Sequence, residues 1–223
     1  MNTCSYVDEF SESAREAVYQ VIARRRDVRL FRDGAPLDEA VLTRILSAAH
    51  QAPSVGYSQP WDFIVVRDRE RRARIRESFL RCREREAARY EEPRRAKYLA
   101  YRLEGILESA LNLCVTCDTR PRDEAVLGST AQPDALRWSV CCAVENLWLA
   151  ARVEGVGVGW VSIVEPEVLK GELALPAGVD PVAYLCVGYP LEFRERPMLE
   201  ETEWRRRRPL DEVVHAERFR DPK

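Results

Sequence analysis

The chain has 223 residues, 46% of them hydrophobic and 32% charged, with 35 basic against 37 acidic side chains and a formal charge of −2. That apolar content supports a real core, and the near-neutral balance supplies no overall field to recruit nucleic acid. No apolar stretch approaches the roughly 18–20 residues that span a bilayer, and Met1–Phe10, carrying Asp8 and Glu9, lacks the order of a secretory leader. A cytoplasmic protein without membrane or nucleic-acid partners is expected.

Glu12 to Arg24 places Ala14, Val18, Val21 and Ile22 on a helical stripe, which lapses in Arg24-Arg25-Arg26-Asp27-Val28-Arg29-Leu30-Phe31. Asp38 to His50 reads as a second helix, with Asp38 as N-cap and Pro53 closing the segment. Phe63 to Val66 is a short strand. Asp68 to Tyr90 is helical, with a thin apolar stripe of Ile75, Phe79 and Cys82 in a field of Arg and Glu. Glu70 before Arg74 and Glu77 before Arg81 suggest a face that compensates its own charge. Pro93 to Ser109 is weakly amphipathic and could form a helical lid.

Leu111 to Cys117 reads as a buried strand and Asp123 to Pro133 as a polar loop. Ser139 to Val153 is apolar on nearly all sides, which predicts burial all round, in a large core or across a subunit interface. Val156 to Ile163 and Val182 to Val187 are strands, with a short helix near Pro166 to Leu173 between them. Helices and strands mix without a clean βαβ alternation, so the fold class is α+β. One domain over 1–223 is expected, with a lid at 90–110 and a C-terminal arm at 190–223.

The familiar motifs mostly fail. Cys114-Val115-Thr116-Cys117 has redox spacing, but positions i and i+3 of a strand point to opposite faces. The seven cysteines read as reduced core residues, Cys141, Cys142 and Cys186 among them. Gly155-Val156-Gly157-Val158-Gly159 follows a helix and precedes a strand, the reverse of a dinucleotide loop. It reads as a helix C-cap leading into a strand whose backbone approaches something closely. With His50 and His215 as the only histidines, neither a histidine metal site nor a histidine triad is expected.

Three segments look purposeful. Arg24-Arg25-Arg26 sits at a helix end, where cations also suit the dipole. Trp204-Arg205-Arg206-Arg207-Arg208 is a second basic patch, and the two could converge on one phosphate. Ala52-Pro53-Ser54-Val55-Gly56-Tyr57-Ser58-Gln59-Pro60-Trp61 is a punctuated loop whose fixed amides could meet a planar ring edge.

Taken together, Arg-Arg-x-x-Arg-x-Phe from Arg25 to Phe31, Ala52-Pro53-Ser54, Gln59-Pro60-Trp61 and Gly-x-Gly-x-x-Trp from Gly155 to Trp160 resemble the FMN-dependent nitroreductase family. Further blocks, Leu103-Glu104-Gly105-Ile106, Asn146 to Arg152, Gly157 to Ile163 and Pro181 to Gly188, are similar to its 5,6-dimethylbenzimidazole-forming branch. Blocks agree in order from Val18 to His215. Asp27 stands where nitroreductases usually carry Ser, as in that branch, and Ser58 stands where the branch more often has Met.

The resemblance implies a nitroreductase-like fold, a central mixed sheet flanked by helices in an intertwined homodimer. It implies that reduced FMN is a substrate, fragmented with molecular oxygen to 5,6-dimethylbenzimidazole and erythrose 4-phosphate without a metal. A separate flavin reductase would supply the reduced FMN. Asp27 and Ser162 would be catalytic, and Arg24, Arg25, Arg26, Asp27, Val28, Pro53, Ser54, Gly56, Leu103, Ser162, Arg205 and Arg207 would bind the flavin. The alternative is an FMN-dependent NAD(P)H nitroreductase or quinone reductase, which needs an open cleft above the flavin.

Overall fold

A computed structural model describes residues 9–120 and 125–219. The chain divides between Phe193 and Arg194 into two compact units. In the first, four strands form one sheet in the order β1-β2-β4-β3, comprising β1 Trp61–Val66, β2 Leu111–Asp118, β3 Gly157–Trp160 and β4 Val179–Gly188. Each neighbouring pair is antiparallel, with Phe63 opposite Val115, Leu113 opposite Leu185 and Val158 opposite Val187. The parallel component of the expected mixed sheet is an isolated bridge between Asp27 and Val158.

Alternation along β2 and β4 builds two cores on opposite faces. Leu111, Leu113, Val115 and Cys117 join Ala183, Leu185 and Val187 on one face, against Ile45 of helix α2 (Glu39–His50) and Val144 of helix α5 (Ala135–Val153). Cys114, Tyr184 and Cys186 line the other, against Ile75 and Phe79 of helix α3 (Arg69–Ala87) and Leu169 of helix α6 (Pro166–Glu172). Each fully buried aliphatic side chain contributes roughly 1.5–3 kcal/mol relative to exposure. Cys114 and Cys117 therefore belong to different cores, and the sheet itself separates the two sulfurs.

Sequence signals set the helix starts. The Ala40 N–H donates to Asp38 Oδ1 at 2.7 Å, the expected cap, and the Arg71 N–H donates to Asp68 Oδ1 at 2.7 Å. Helix α1 (Glu12–Arg24) is capped by Ser11 and buries no residue in this chain. Helix α5 is not covered all round, because Trp138, Cys141, Cys142 and Val153 are exposed. A core explanation for its apolar outer face therefore fails within one chain.

Helix α3 departs from its expected self-compensation. Arg74 pairs with Glu172 at 2.9 Å, and Arg81 and Arg85 pair with Glu165 at 3.5 and 2.8 Å, all partners lying at α6. Longer reach across a helix pair competes well with i,i+4 neighbours when the partner helix presents carboxylates. The opposite side of α3 fastens residues 99–109. Arg83 donates to the carbonyls of Leu99 and Tyr101, Arg76 pairs with Glu104 at 3.0 Å, and Arg72 donates to the carbonyls of Ile106 and Ser109.

Arg72 is buried, and burial holds its pKa below the usual arginine value. Asn112 extends the network, donating to Ser109 Oγ at 2.8 Å and accepting from the Tyr184 hydroxyl at 2.8 Å. The expected lid is helical only over α4 (Arg94–Ala100), where apolar spacing is helical; beyond it the chain follows the arginines.

The second unit contains helix α7 (Met198–Glu201) and a 3-10 turn at Leu210–Glu212, with Arg194 paired to Glu201 at 2.6 Å. Among the described residues no helix is long and apolar enough to cross a membrane, and no three His, Cys, Asp or Glu side chains are placed to hold a metal ion.

Candidate active site

After α1 the chain turns extended at Arg25 and runs beside β3. The Val28 N–H donates to the Val158 carbonyl at 2.9 Å. This approach needs glycine opposite it. A Cβ on Gly159 would fall 2.1 Å from the Val28 carbonyl oxygen, and one on Gly157 would fall 2.9 Å from both Val28 methyl carbons. Gly155 takes φ +70° just after α5, so the glycine run is the anticipated C-cap followed by close backbone contact. What it approaches is the Asp27 segment. Val28 itself is a buried core residue, so any contact with a ligand falls to its backbone.

Docking on β3 fixes Asp27. The Trp160 N–H donates to Asp27 Oδ1 at 3.0 Å, and Arg29 Nη2 lies 2.5 Å from Asp27 Oδ2 while also donating to the Trp160 carbonyl at 2.6 Å. Arg29 and Arg25 lower the Asp27 pKa, but burial outweighs them and holds the carboxyl above the usual aspartate value. Although 43% of the side chain is reached by solvent, the protein crowds the carboxyl enough for desolvation to prevail.

The three arginines take different work. Arg24 is exposed, and its carbonyl accepts from Arg152 Nε at 3.1 Å. Arg25 stacks over Trp148 at 4.7 Å, with Nε 3.7 Å from Glu145. Arg26 turns back to donate to the carbonyls of Ala23 and Arg25 at 2.7 and 2.6 Å, the helix-end role. Trp148 Nε1 donates to the Arg26 carbonyl at 3.2 Å, and its ring lies 6.4 Å from that of Trp160.

Ser162, two residues beyond β3, is exposed and lines a cleft of about 440 Å³ with Cys82, Arg85, Glu86 and Glu165. Asp27 is held along β3 and Ser162 follows its end, but neither Asp27 nor Arg25 lines the Ser162 cleft.

The loop at Pro53 is organised elsewhere on the same helix. The Val55 N–H donates to Ser139 Oγ at 3.0 Å, the Gln59 N–H donates to Ser54 Oγ at 3.1 Å, and Val55–Tyr57 forms a 3-10 turn. Gly56 takes φ +55°, and a Cβ there would lie 2.7 Å from the Leu127 carbonyl oxygen. Pro53 is exposed and Ser54 half-buried. Ser139 and Trp148 stand nine residues apart on α5, so at 1.5 Å rise per residue the loop and the Asp27 segment are anchored about 13 Å apart along its axis. Within one chain the two groups rest on different turns of α5.

Leu103 packs into the core of Phe31 and Tyr184 rather than standing free. Arg205 and Arg207 are exposed and lie in the second unit. His50 accepts from Trp61 Nε1 at 3.1 Å, a structural role.

Sequence reading missed Arg29, Trp148 and Trp160 as parts of this site. The signal for Arg29 was available: in an extended segment residues 27 and 29 share a side. Nothing in the sequence announced that Trp148 would meet Arg25.

Residues 22–189 match the Nitroreductase family. The chain is 43% identical over 200 residues to a 5,6-dimethylbenzimidazole synthase of Rhodospirillum rubrum, covering 90% of this chain and 94% of that protein. It is 35% identical to a 5,6-dimethylbenzimidazole synthase of Rhodobacter capsulatus, over 91% of this chain and 97% of that one. Its fold is similar to that of an oxidised iodotyrosine deiodinase bound to FMN and 3-iodo-L-tyrosine, with a TM-score of 0.69, 21% identity and coverage of 91% and 99% of the two chains.

Proposed function

The chain belongs to the nitroreductase family, and from that premise we propose that it is a cytoplasmic enzyme that converts reduced FMN and molecular oxygen to 5,6-dimethylbenzimidazole and erythrose 4-phosphate. The observation that carries the reading is 43% identity to a 5,6-dimethylbenzimidazole synthase over nearly the whole of both chains. The carboxyl of Asp27, fixed beside β3, gives it a chemical basis.

The donor set suits such a ligand. Arg24 and Arg25 offer guanidinium groups for a phosphate, and the exposed Ser162 hydroxyl can both donate and accept. Pro53, Ser54 and Gly56 would present backbone to the ring edge. When bound, reduced FMN supplies the electrons and the carbon skeleton of the product.

Proton transfers to and from ring and ribityl atoms need a positioned base. Asp27 serves, because burial brings its pKa toward working pH while Arg29 keeps its ionised form accessible. Residues 99–109, fastened to α3, would exclude water above the site. The loop and the Asp27 segment, anchored apart on α5, would be brought to one ligand by a second copy. The exposed apolar residues Val18 and Ile22 of α1 and Trp138 and Val153 of α5 would be covered in that homodimer. Reduced FMN would arrive from a separate flavin reductase.

The test is aerobic incubation with FMN and an independent reducing system, followed by chromatography. Appearance of 5,6-dimethylbenzimidazole is expected. Recovery of intact FMN after prolonged reduction and air would reject the reading.

A further inference from the structure

Asp27 is held by a closed ring of contacts. The backbone of one β3 residue both donates and accepts: the Trp160 N–H meets Asp27 Oδ1 at 3.0 Å, and the Trp160 carbonyl takes Arg29 Nη2 at 2.6 Å. The same Nη2 closes the ring on Asp27 Oδ2 at 2.5 Å. The carboxyl cannot rotate about its last bond without breaking contacts at both oxygens. We propose that Arg29 is a positioning residue for Asp27, clamping the carboxyl against the Trp160 backbone in one orientation and supplying its countercharge.

The cation is the deeper partner, 14% exposed against 43% for Asp27, so solvent screens the pair from one side only. Arg29 Nη1 is buried without a hydrogen-bond partner among the described residues. It lies 2.9 Å from where a Cβ on Gly159 would stand, so the missing side chain of Gly159 makes the guanidinium's seat.

The surrounding charges point to the same residue. From the end of α1, Arg25 also bears on Asp27, but it is engaged by Trp148 and Glu145 of α5. Arg24 and Arg26 flank Arg152 of α5. The β4 side presents the buried Cys186 thiol, whose pKa burial pushes up to about 12, so it adds no charge near neutral pH. Of the influences favouring ionised Asp27, Arg29 is the largest.

The catalytic meaning of the clamp rests on the proposed function; the clamp itself does not. The experiment is a ¹³C NMR titration of the Asp27 carboxyl in flavin-free protein, assigned with Asp27→Asn, in wild type, Arg29→Met and Arg29→Lys. Loss of a contacting opposite charge is expected to move the Asp27 midpoint up by about one pH unit or more. Arg29→Lys should return most of that shift, and the acidic limb of product formation should move with the midpoint. If Arg29→Met does not fold, Arg29→Gln replaces it, with the same expected shift. An unchanged midpoint in a folded neutral variant, or a Lys variant no closer to wild type, would overturn the clamp. A moved midpoint with an unmoved activity profile would uphold the clamp and reject Asp27 as the base.

Discussion

A side chain at Gly159 would begin 2.1 Å from the carbonyl oxygen of Val28, well inside contact distance and against backbone that cannot swing away. Gly159→Ala should therefore lift the Asp27 segment off β3 and cost at least about 2 kcal/mol of stability, the scale of overpacking against rigid neighbours. Urea unfolding followed by tryptophan fluorescence measures it. An unchanged midpoint would mean that the segment does not dock there in solution.

Asp27→Asn should abolish formation of 5,6-dimethylbenzimidazole while leaving FMN affinity within about tenfold, or roughly 1.4 kcal/mol. The carboxyl faces Arg29 and the Trp160 amide rather than serving as a phosphate contact. Full turnover by this variant would remove Asp27 from the chemistry.

The raised pKa of Asp27 carries a stability consequence with a definite sign. Above its folded pKa the carboxylate is ionised at a desolvation cost that the unfolded chain does not bear. As pH falls through the folded pKa toward the usual 3.8, the folded state takes up the proton first and that cost is relieved. Wild type should thus gain stability relative to Asp27→Asn across that window. The paired carboxylates Asp180 and Glu165, whose pKa values their cationic partners lower, act oppositely and are present in both proteins. Urea midpoints of the two proteins at stepped pH give the comparison, and a constant gap would contradict it.

Sedimentation at micromolar concentration should give a species of twice 25.7 kDa. In the same sample Cys114, Cys117 and Cys186, all buried, should resist a thiol reagent until urea is added. A stable 25.7 kDa species would leave the outer face of α5 uncovered and the shared site without its second half.

Hydride transfer requires a nicotinamide ring in near contact with the flavin. If residues 99–109 close over the ring, anaerobic NADH or NADPH should not bleach bound FMN in stopped-flow measurements, whereas a small chemical reductant should. Rapid bleaching by either nicotinamide would favour a nitroreductase or quinone reductase instead.

Much of the framework was legible because local signals agree with the fold. Asp38 announced a helix start, and Leu111 to Cys117 announced a strand that runs to Asp118. The opposite facing of Cys114 and Cys117 followed from alternation alone. Strand order did not, since antiparallel pairing of β2 with both β1 and β4 depends on contacts far apart in sequence. The partners of the α3 arginines were hidden for the same reason: nothing local distinguishes a carboxylate one turn away from one on α6. Cys141 and Cys142 were expected inside because their neighbours are apolar, yet they lie on the outer side of α5. Asp27 and Ser162 stood out by resemblance, while Arg29 emerged only when β3 was laid beside it.

Helix α3 is held on its two sides by bonds of different kinds. Toward α6 the partners are full charges on open surface, Arg74 with Glu172 and Arg85 with Glu165. Toward residues 99–109 they include carbonyl dipoles met by a buried guanidinium, Arg72. Dissolved ions shield the first kind within a Debye length of about 10 Å at 0.1 M and scarcely reach the second. Ionic strength thus acts on this helix as a one-sided lever: brine slackens its grip on α6 and leaves its hold on residues 99–109 intact.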